Sequence, residues 1–151
     1  MPNYQLHHVQ LAIPKGGEPD ARAFFGEILG LVEIDKPPAL AARGGCWFRS
    51  PAAGPNDGAR GTATRARGMA TDTRGAAAGA LELHLGVEEP FRPARKAHPG
   101  IQVEDLDDLV RRLTEAGYQA EPDELFPGYR RVYSFDPFGN RLEFLEPIST
   151  G

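Results

Sequence analysis

The chain repeats its own pattern, and that repeat constrains its fold more than any other feature. His8-Val9-Gln10-Leu11-Ala12-Ile13 alternates, with Val9, Leu11 and Ile13 on one face and His8, Gln10 and Ala12 on the other. That is the period of a strand. His98-Pro99-Gly100-Ile101-Gln102-Val103 opens a second run in the same way, and in both the His stands five places before the last apolar residue. A helical stripe follows each run. Ala21, Phe24, Phe25, Ile28 and Leu29 form the first, with Asp20 placed to cap it and Gly30 to end it. Leu106, Leu109, Val110 and Leu113 form the second, behind Asp105 and ahead of Gly117. Each half closes on a strand with a carboxylate at the matching place, Leu81-Glu82-Leu83 and Leu142-Glu143-Phe144.

The two halves span residues 1–88 and 97–148, and each reads strand, helix, strand, strand, strand. Leu31 to Ile34, Gly44 to Arg49 and Ala80 to Val87 complete the first half, with Pro37 and Pro38 breaking the chain between strands. Tyr118 to Glu121 and a hairpin, Arg130 to Phe135 and Arg141 to Leu145, complete the second. The hairpin turns on Asp136-Pro137-Phe138-Gly139-Asn140. Glu88 to Lys96 is the connector. Residues 50–79 are an insertion of different character, with Met69 as its only large apolar residue. Arg60, Arg65, Arg67 and Arg74 against two Asp make it locally basic. It reads as a surface loop, or as a lid over a substrate. The expected fold is α+β: one domain over residues 1–151, in which two βαβββ modules form a curved, half-barrel-like mixed sheet around a cleft.

Composition removes several classes of function. A net charge of −4 gives no electrostatic footprint for nucleic acid. No apolar run approaches the roughly 20 residues that span a bilayer. No basic segment followed by a hydrophobic stretch opens the chain, so a cytoplasmic protein without nucleic-acid or membrane partners is expected. The single Cys46 excludes an intrachain disulfide and reads as a buried, inert thiol. There is no phosphate-binding glycine loop, dinucleotide fingerprint or serine nucleophile elbow.

Alternation decides which side chains share a face. His8, Glu82, His84, His98 and Glu143 all lie opposite the apolar residues of their strands. If the apolar faces pack on the helices, these groups project together on the far side. A carboxylate facing a partly closed cavity needs a partner, because an unpaired buried charge is costly. A divalent cation satisfies several such groups at once, and imidazole with carboxylate suits Fe, Zn, Ni, Co or Mn. Glu82 and His84 compete for one place in such a site, and His7 points toward the helix side or the surface. Arg131 and Tyr133 alternate on the adjoining strand, with Trp47 or Phe48 on its counterpart; they are placed to bind an anionic or aromatic substrate, or to pack the sheet edge.

Leu6-His7-His8-Val9-Gln10-Leu11-Ala12, the helix ending Ile28-Leu29-Gly30-Leu31, and Asp136-Pro137-Phe138-Gly139-Asn140-Arg141-Leu142-Glu143 resemble the vicinal oxygen chelate superfamily. That group includes glyoxalase I, extradiol dioxygenases, fosfomycin-resistance transferases and bleomycin-resistance proteins. The resemblance covers nearly the whole chain except residues 50–79. It implies paired βαβββ modules around a metal cleft, with ligands from the first and last strand of each module. Carried onto this chain these are His8, Glu82, His98 and Glu143. The family strand has one more residue between Leu83 and His84, which leaves both Glu82 and His84 as candidates. The implied chemistry is that of a lyase, isomerase or dioxygenase: a divalent metal polarises vicinal oxygens of a small substrate, and Glu82 or Glu143 moves a proton. A homodimer is implied too, because many relatives are dimers and some share sites between chains. The contrasting expectation is a metal-free module that sequesters a drug-like ligand, as bleomycin-resistance relatives do.

Overall fold

The computed structural model describes residues 1–51 and 80–148. The basic insertion, and with it the lid reading, therefore falls almost wholly outside the described residues.

Strands and helices alternate as the repeat requires. The first module holds β1 (Val9–Ile13), α1 (Glu18–Ala21) continuing as a π-helical stretch (Arg22–Ile28), β2 (Val32–Ile34), α2 (Pro38–Ala41), β3 (Cys46–Arg49) and β4 (Glu82–Val87). The second holds β5 (Gly100–Gln102), α3 (Leu106–Glu115), β6 (Glu121–Pro122), β7 (Tyr129–Phe135) and β8 (Arg141–Pro147). These strands form two four-stranded mixed sheets, ordered β1-β4-β3-β2 and β5-β8-β7-β6. In each, the first strand runs parallel to the last, Val9 beside Leu83 and Gly100 beside Glu143, and the other pairs are antiparallel. The architecture is α+β, built twice on one topology, and neither sheet closes into a barrel. Among the described residues no helix is long and apolar enough to cross a membrane.

Period two sorts the side chains. Leu11, Ile13, Cys46, Phe48, Leu83 and Leu85 are buried on the helix side of the first sheet; Ile101, Val132, Leu142 and Phe144 do the same in the second. With Phe24, Phe25, Leu106, Leu109 and Leu113 they form one continuous core. Burying such side chains contributes about 1.5–3 kcal/mol each.

Some local expectations are corrected. Asp20 does not cap the first helix; Gly17 takes that place and Pro19 sits in the first turn, where its fixed φ suits and its missing N–H has no helical partner to lose. The helix then widens, Leu29 N–H donating to the Phe24 carbonyl at 2.9 Å, five residues back. The wider winding lets adjacent Phe24 and Phe25 both reach full burial. Pro38 starts a short helix instead of only breaking the chain. β1 begins at Val9 and β5 at Gly100, so His8 and His98 both stand just before their strands. The short strand expected from Tyr118 to Glu121 forms at Glu121–Pro122. Asp105 caps α3 as its sequence suggests, accepting from Asp108 N–H at 2.9 Å. Gly117, at φ +85°, ends α3, with Tyr118 N–H donating to Leu113 at 2.9 Å.

The two modules are joined by the turn between β7 and β8. Asn140 is fully buried there. Its Nδ2 donates to the Ala12 carbonyl of β1 at 2.8 Å and to Asp136 Oδ2 at 2.7 Å. Its Oδ1 accepts from Ala94 N–H of the connector at 2.9 Å. Phe138 packs against Gly17, where an added Cβ would meet its ring at 2.9 Å. Across the core, Tyr118 meets Phe24 edge-on at 4.7 Å.

Removing Asn140's amide leaves the Ala12 carbonyl and Ala94 N–H unpartnered, at about 1–3 kcal/mol per buried group. Asn140→Ala is therefore expected to lose roughly 2–4 kcal/mol in urea unfolding. Asn140→Asp, which sets an acceptor against Ala12 O and Asp136, should do no better. Wild-type stability in both variants would refute the joint.

Candidate functional site

Each sheet carries the same grouping on its polar face: an imidazole, a carboxylate and a guanidinium. In the first, Glu82 opens β4 and lies across from Arg49, while His84 lies across from Trp47. Glu82 Oε1 lies 2.8 Å from His84 Nε2, and Arg49 Nη2 donates to Oε2 at 2.9 Å. Both Glu82 and His84 are only 5% exposed. The His84 ring is sandwiched, with Trp47 parallel to it at 3.7 Å and His8 stacked on it at 3.9 Å. Gln10 shares this face, its amide lying over Gly86. His8 itself is exposed, and its Nδ1 lies 3.0 Å from His7 Nδ1.

In the second sheet, Glu143 Oε2 lies 3.0 Å from His98 Nε2, and Arg131 Nη1 donates to Oε1 at 3.1 Å. Arg131 is held in turn by Asp123, at 2.5 Å. Tyr133 pairs with Glu143 across the strands, and its ring meets His98 edge-on at 5.8 Å. His98 Nδ1 lies 3.1 Å from the Arg95 carbonyl and 2.9 Å from that of Lys96. Carbonyls only accept, so Nδ1 carries a proton and Nε2 is the nitrogen turned to Glu143. A nitrogen and a carboxylate oxygen this close demand a shared proton or a cation between them.

Burial sets the electrostatics. It pushes His84 below its ordinary 6.5, and the nearby charges of His8 and His7 act the same way, against the hydrogen bond to Glu82. Burial pushes Glu82 up, but hydrogen bonds from His84 and Arg49 with the Arg49 charge outweigh it, leaving Glu82 below 4.5. An ionised Glu82 makes His84 Nε2 the donor. Cys46 is buried, and desolvation with the Glu33 charge pushes its thiol up to about 11, so it offers no nucleophile.

The expected residues thus gather as two clusters: His8, Glu82, His84 and Trp47 on one sheet, His98, Glu143, Arg131 and Tyr133 on the other. Among the described residues no three His, Cys, Asp or Glu come together as a set able to hold a metal. Arg49 was not anticipated; its signal was two-residue alternation with Trp47 on one strand. A cavity of about 420 Å³ opens beside Arg131, lined also by Leu106, Asp123, Phe126, Tyr129 and Ile148. None of the candidate histidines lines it.

Residues 5–144 match the model of the Glyoxalase/Bleomycin resistance protein/Dioxygenase superfamily. The chain belongs to this superfamily. Its fold is that of a glyoxalase-family protein from Bacillus anthracis, 38% identical over 98% of this chain and 100% of that one, TM-score 0.74. The fosfomycin resistance protein FosX from Listeria monocytogenes shares the fold at 13% identity, covering 97% and 96% of the two chains, TM-score 0.62. So does TnmS3, an antibiotic binding protein from Streptomyces sp. CB03234, at 19% identity over 97% and 100%, TM-score 0.60. No curated protein matches the chain. The superfamily contains enzymes and also binders that catalyse nothing, so membership alone leaves both open.

Both depressed pKa values hold native stability at neutral pH that is lost as pH falls. Loss begins near 6.5, as unfolded His84 takes its proton first, and continues below 4.5 for Glu82. His84→Gln should flatten the decline in unfolding free energy between pH 7 and 5. Trp47, the chain's sole tryptophan, should lose emission as the stacked imidazole protonates, with a midpoint under 6.5. An unchanged slope in the variant, or wild-type emission that does not change with pH, would refute this assignment.

Proposed function

We propose that the protein is a glyoxalase-like metalloenzyme that binds vicinal oxygens of a small substrate on a divalent metal. The observation that carries this reading is His98: backbone carbonyls hold its Nδ1–H so that Nε2 is aimed at Glu143 Oε2, 3.0 Å away, and a nitrogen and a carboxylate oxygen converge where one cation can sit. Pinning the other ring nitrogen in this way is how proteins orient a metal-ligating imidazole. The donor set fits the group, since imidazole nitrogen with carboxylate oxygen suits Fe, Zn, Ni, Co or Mn. His98 and Glu143 would hold it from the second module, Glu82 and His8 from the first. His84, whose Nε2 proton is given to Glu82, acts as the positioning residue on β4. Bound there, the metal supplies Lewis-acid polarisation of substrate oxygens. The residues do the rest. Glu82 or Glu143 accepts and returns the proton at a substrate carbon, Arg49 and Arg131 hold those carboxylates in place, and Trp47 and Tyr133 wall the substrate.

Two donors from each module fall short of a full set, so both modules must contribute. We propose that a homodimer supplies the complement, the first-module face of one protomer meeting the second-module face of its partner. A second reading, metal-free capture of a drug-like molecule, draws on the two arginines: each glutamate already accepts from a guanidinium without a metal.

Elemental analysis of purified protein, before and after chelation and reloading, tests the first reading. Near one metal per chain is expected, lost in His98→Ala and in Glu143→Ala; full occupancy in both variants sinks the assignment. Mixing tests the shared site. Refolding Glu82→Ala together with His98→Ala should restore about a quarter of the sites, because half the dimers are mixed and each mixed dimer has one intact site. No recovery would place the site within one chain.

A further inference from the structure

Most arginines of the second module have an acceptor. Arg111 pairs with Asp108 and Glu115, Arg130 with Asp107 and Glu146, Arg131 with Asp123 and Glu143. Arg112 donates to the Glu27 carbonyl at 2.9 Å. Arg141, and Arg95 of the connector, differ: among the described residues neither has a carboxylate partner. Arg141 instead lies 3.9 Å over the Tyr133 ring, and Arg95 lies 5.3 Å over the Phe135 ring. Those rings are two residues apart on β7 and so share one face. Arg141 N–H donates to the Ala94 carbonyl at 2.8 Å, which brings the Arg95 backbone beside Arg141.

Stacking on a ring holds a guanidinium plane while leaving its rim of N–H donors open. The face they occupy carries His98 and Glu143. Glu143 makes no ion pair with either, since its Oε1 accepts from Arg131 at 3.1 Å and its Oε2 faces His98 at 3.0 Å. We propose that Arg95 and Arg141 form an anion-binding subsite for the carboxylate, phosphonate or phosphate group of the substrate handled beside His98 and Glu143. As a substrate subsite it rests on the functional reading above; as an anion site it stands without it. Arg131, the arginine expected from sequence to meet an anionic substrate, is held by Glu143 and Asp123, and Arg141 takes that role. Bidentate recognition of oxyanions is what a guanidinium with a free edge does best.

The test is an NMR titration of arginine Nε–H and backbone amide signals at low salt, with methylphosphonate as the anion and dimethyl methylphosphonate as its neutral analogue. Saturable shifts centred on Arg95 and Arg141 are expected with the anion, at least tenfold weaker with the neutral analogue, and weakening as salt is added. Arg141→Gln should raise Kd at least tenfold and Arg95→Gln about threefold, with Arg141→Lys in between and Arg111→Gln unchanged. Thermal unfolding of each variant shows whether it still folds, and Arg95→Gln, at an exposed connector position, keeps the question decidable if Arg141→Gln does not. Equal affinity for the neutral analogue, shifts centred elsewhere, or no effect in either glutamine variant overturns the proposal. The titration is run on chelator-stripped protein. Binding there with no metal uptake under any loading would sink the metalloenzyme reading alone, whereas metal uptake with no anion binding would sink the subsite alone.

Discussion

The Asp136–Asn140 joint is the contact on which the rest of the molecule depends. Each module has only one four-stranded sheet and little helix, too small a body to bury its own apolar face. What makes one core of two is the placement of one module against the other. Asn140 fixes that placement by reaching at once an edge-strand carbonyl, Ala12, and the connector, Ala94. Asp136 is there to orient it, at a cost. Burial pushes the Asp136 carboxyl above its ordinary value even though Asn140, Phe138 and Gly139 all donate toward it. β8 starts at the next residue after Asn140, so the joint also sets where Arg141 and Glu143 fall on the polar face.

On that face the chain solves the same desolvation problem twice. A carboxylate that is 5% exposed, as Glu82 is, needs compensation. Both glutamates take half of theirs from an arginine and half from an imidazole. The arginine answers the net charge, and the imidazole leaves one oxygen facing a nitrogen across 2.8 or 3.0 Å. That second contact is the adjustable one, since a proton or a cation can occupy it without disturbing the first.

Sequence alone carried the architecture well. Period-two alternation placed Leu11, Ile13, Leu83 and Leu85 on the helix side and Glu82 and His84 on the opposite face, because a pleated strand leaves no other choice. Asp105 and Gly117 were legible as helix ends for the same local reason. Asp20 misled because the helix begins before it: Pro19, which suits the first turn, leaves Gly17 at the cap. Asn140 was readable as a turn residue but not as a joint, since its partners lie at Ala12 and Ala94, beyond any local pattern. Arg49 and Arg141 were equally hidden. Their roles come from register, which sets Arg49 across from Glu82 and Arg141 across from Phe135. The gathering of the candidate ligands as two clusters was also invisible, because alternation fixes a face but not the distance between two faces.

The repeat itself is less symmetric in chemistry than in topology, and the difference lies in what holds each imidazole. His98 is tethered through Nδ1 to the Arg95 and Lys96 carbonyls, so Nε2 is the nitrogen it turns to Glu143. His84 lies between two rings in a dry place, holds its pKa low, and gives its Nε2 proton to an ionised Glu82. A backbone tether fixes which nitrogen points at the carboxylate, whereas a ring sandwich fixes only the plane of the imidazole and leaves the carboxylate to choose the tautomer. The same pair of residue types is therefore set by the backbone in the second module and by the carboxylate partner in the first.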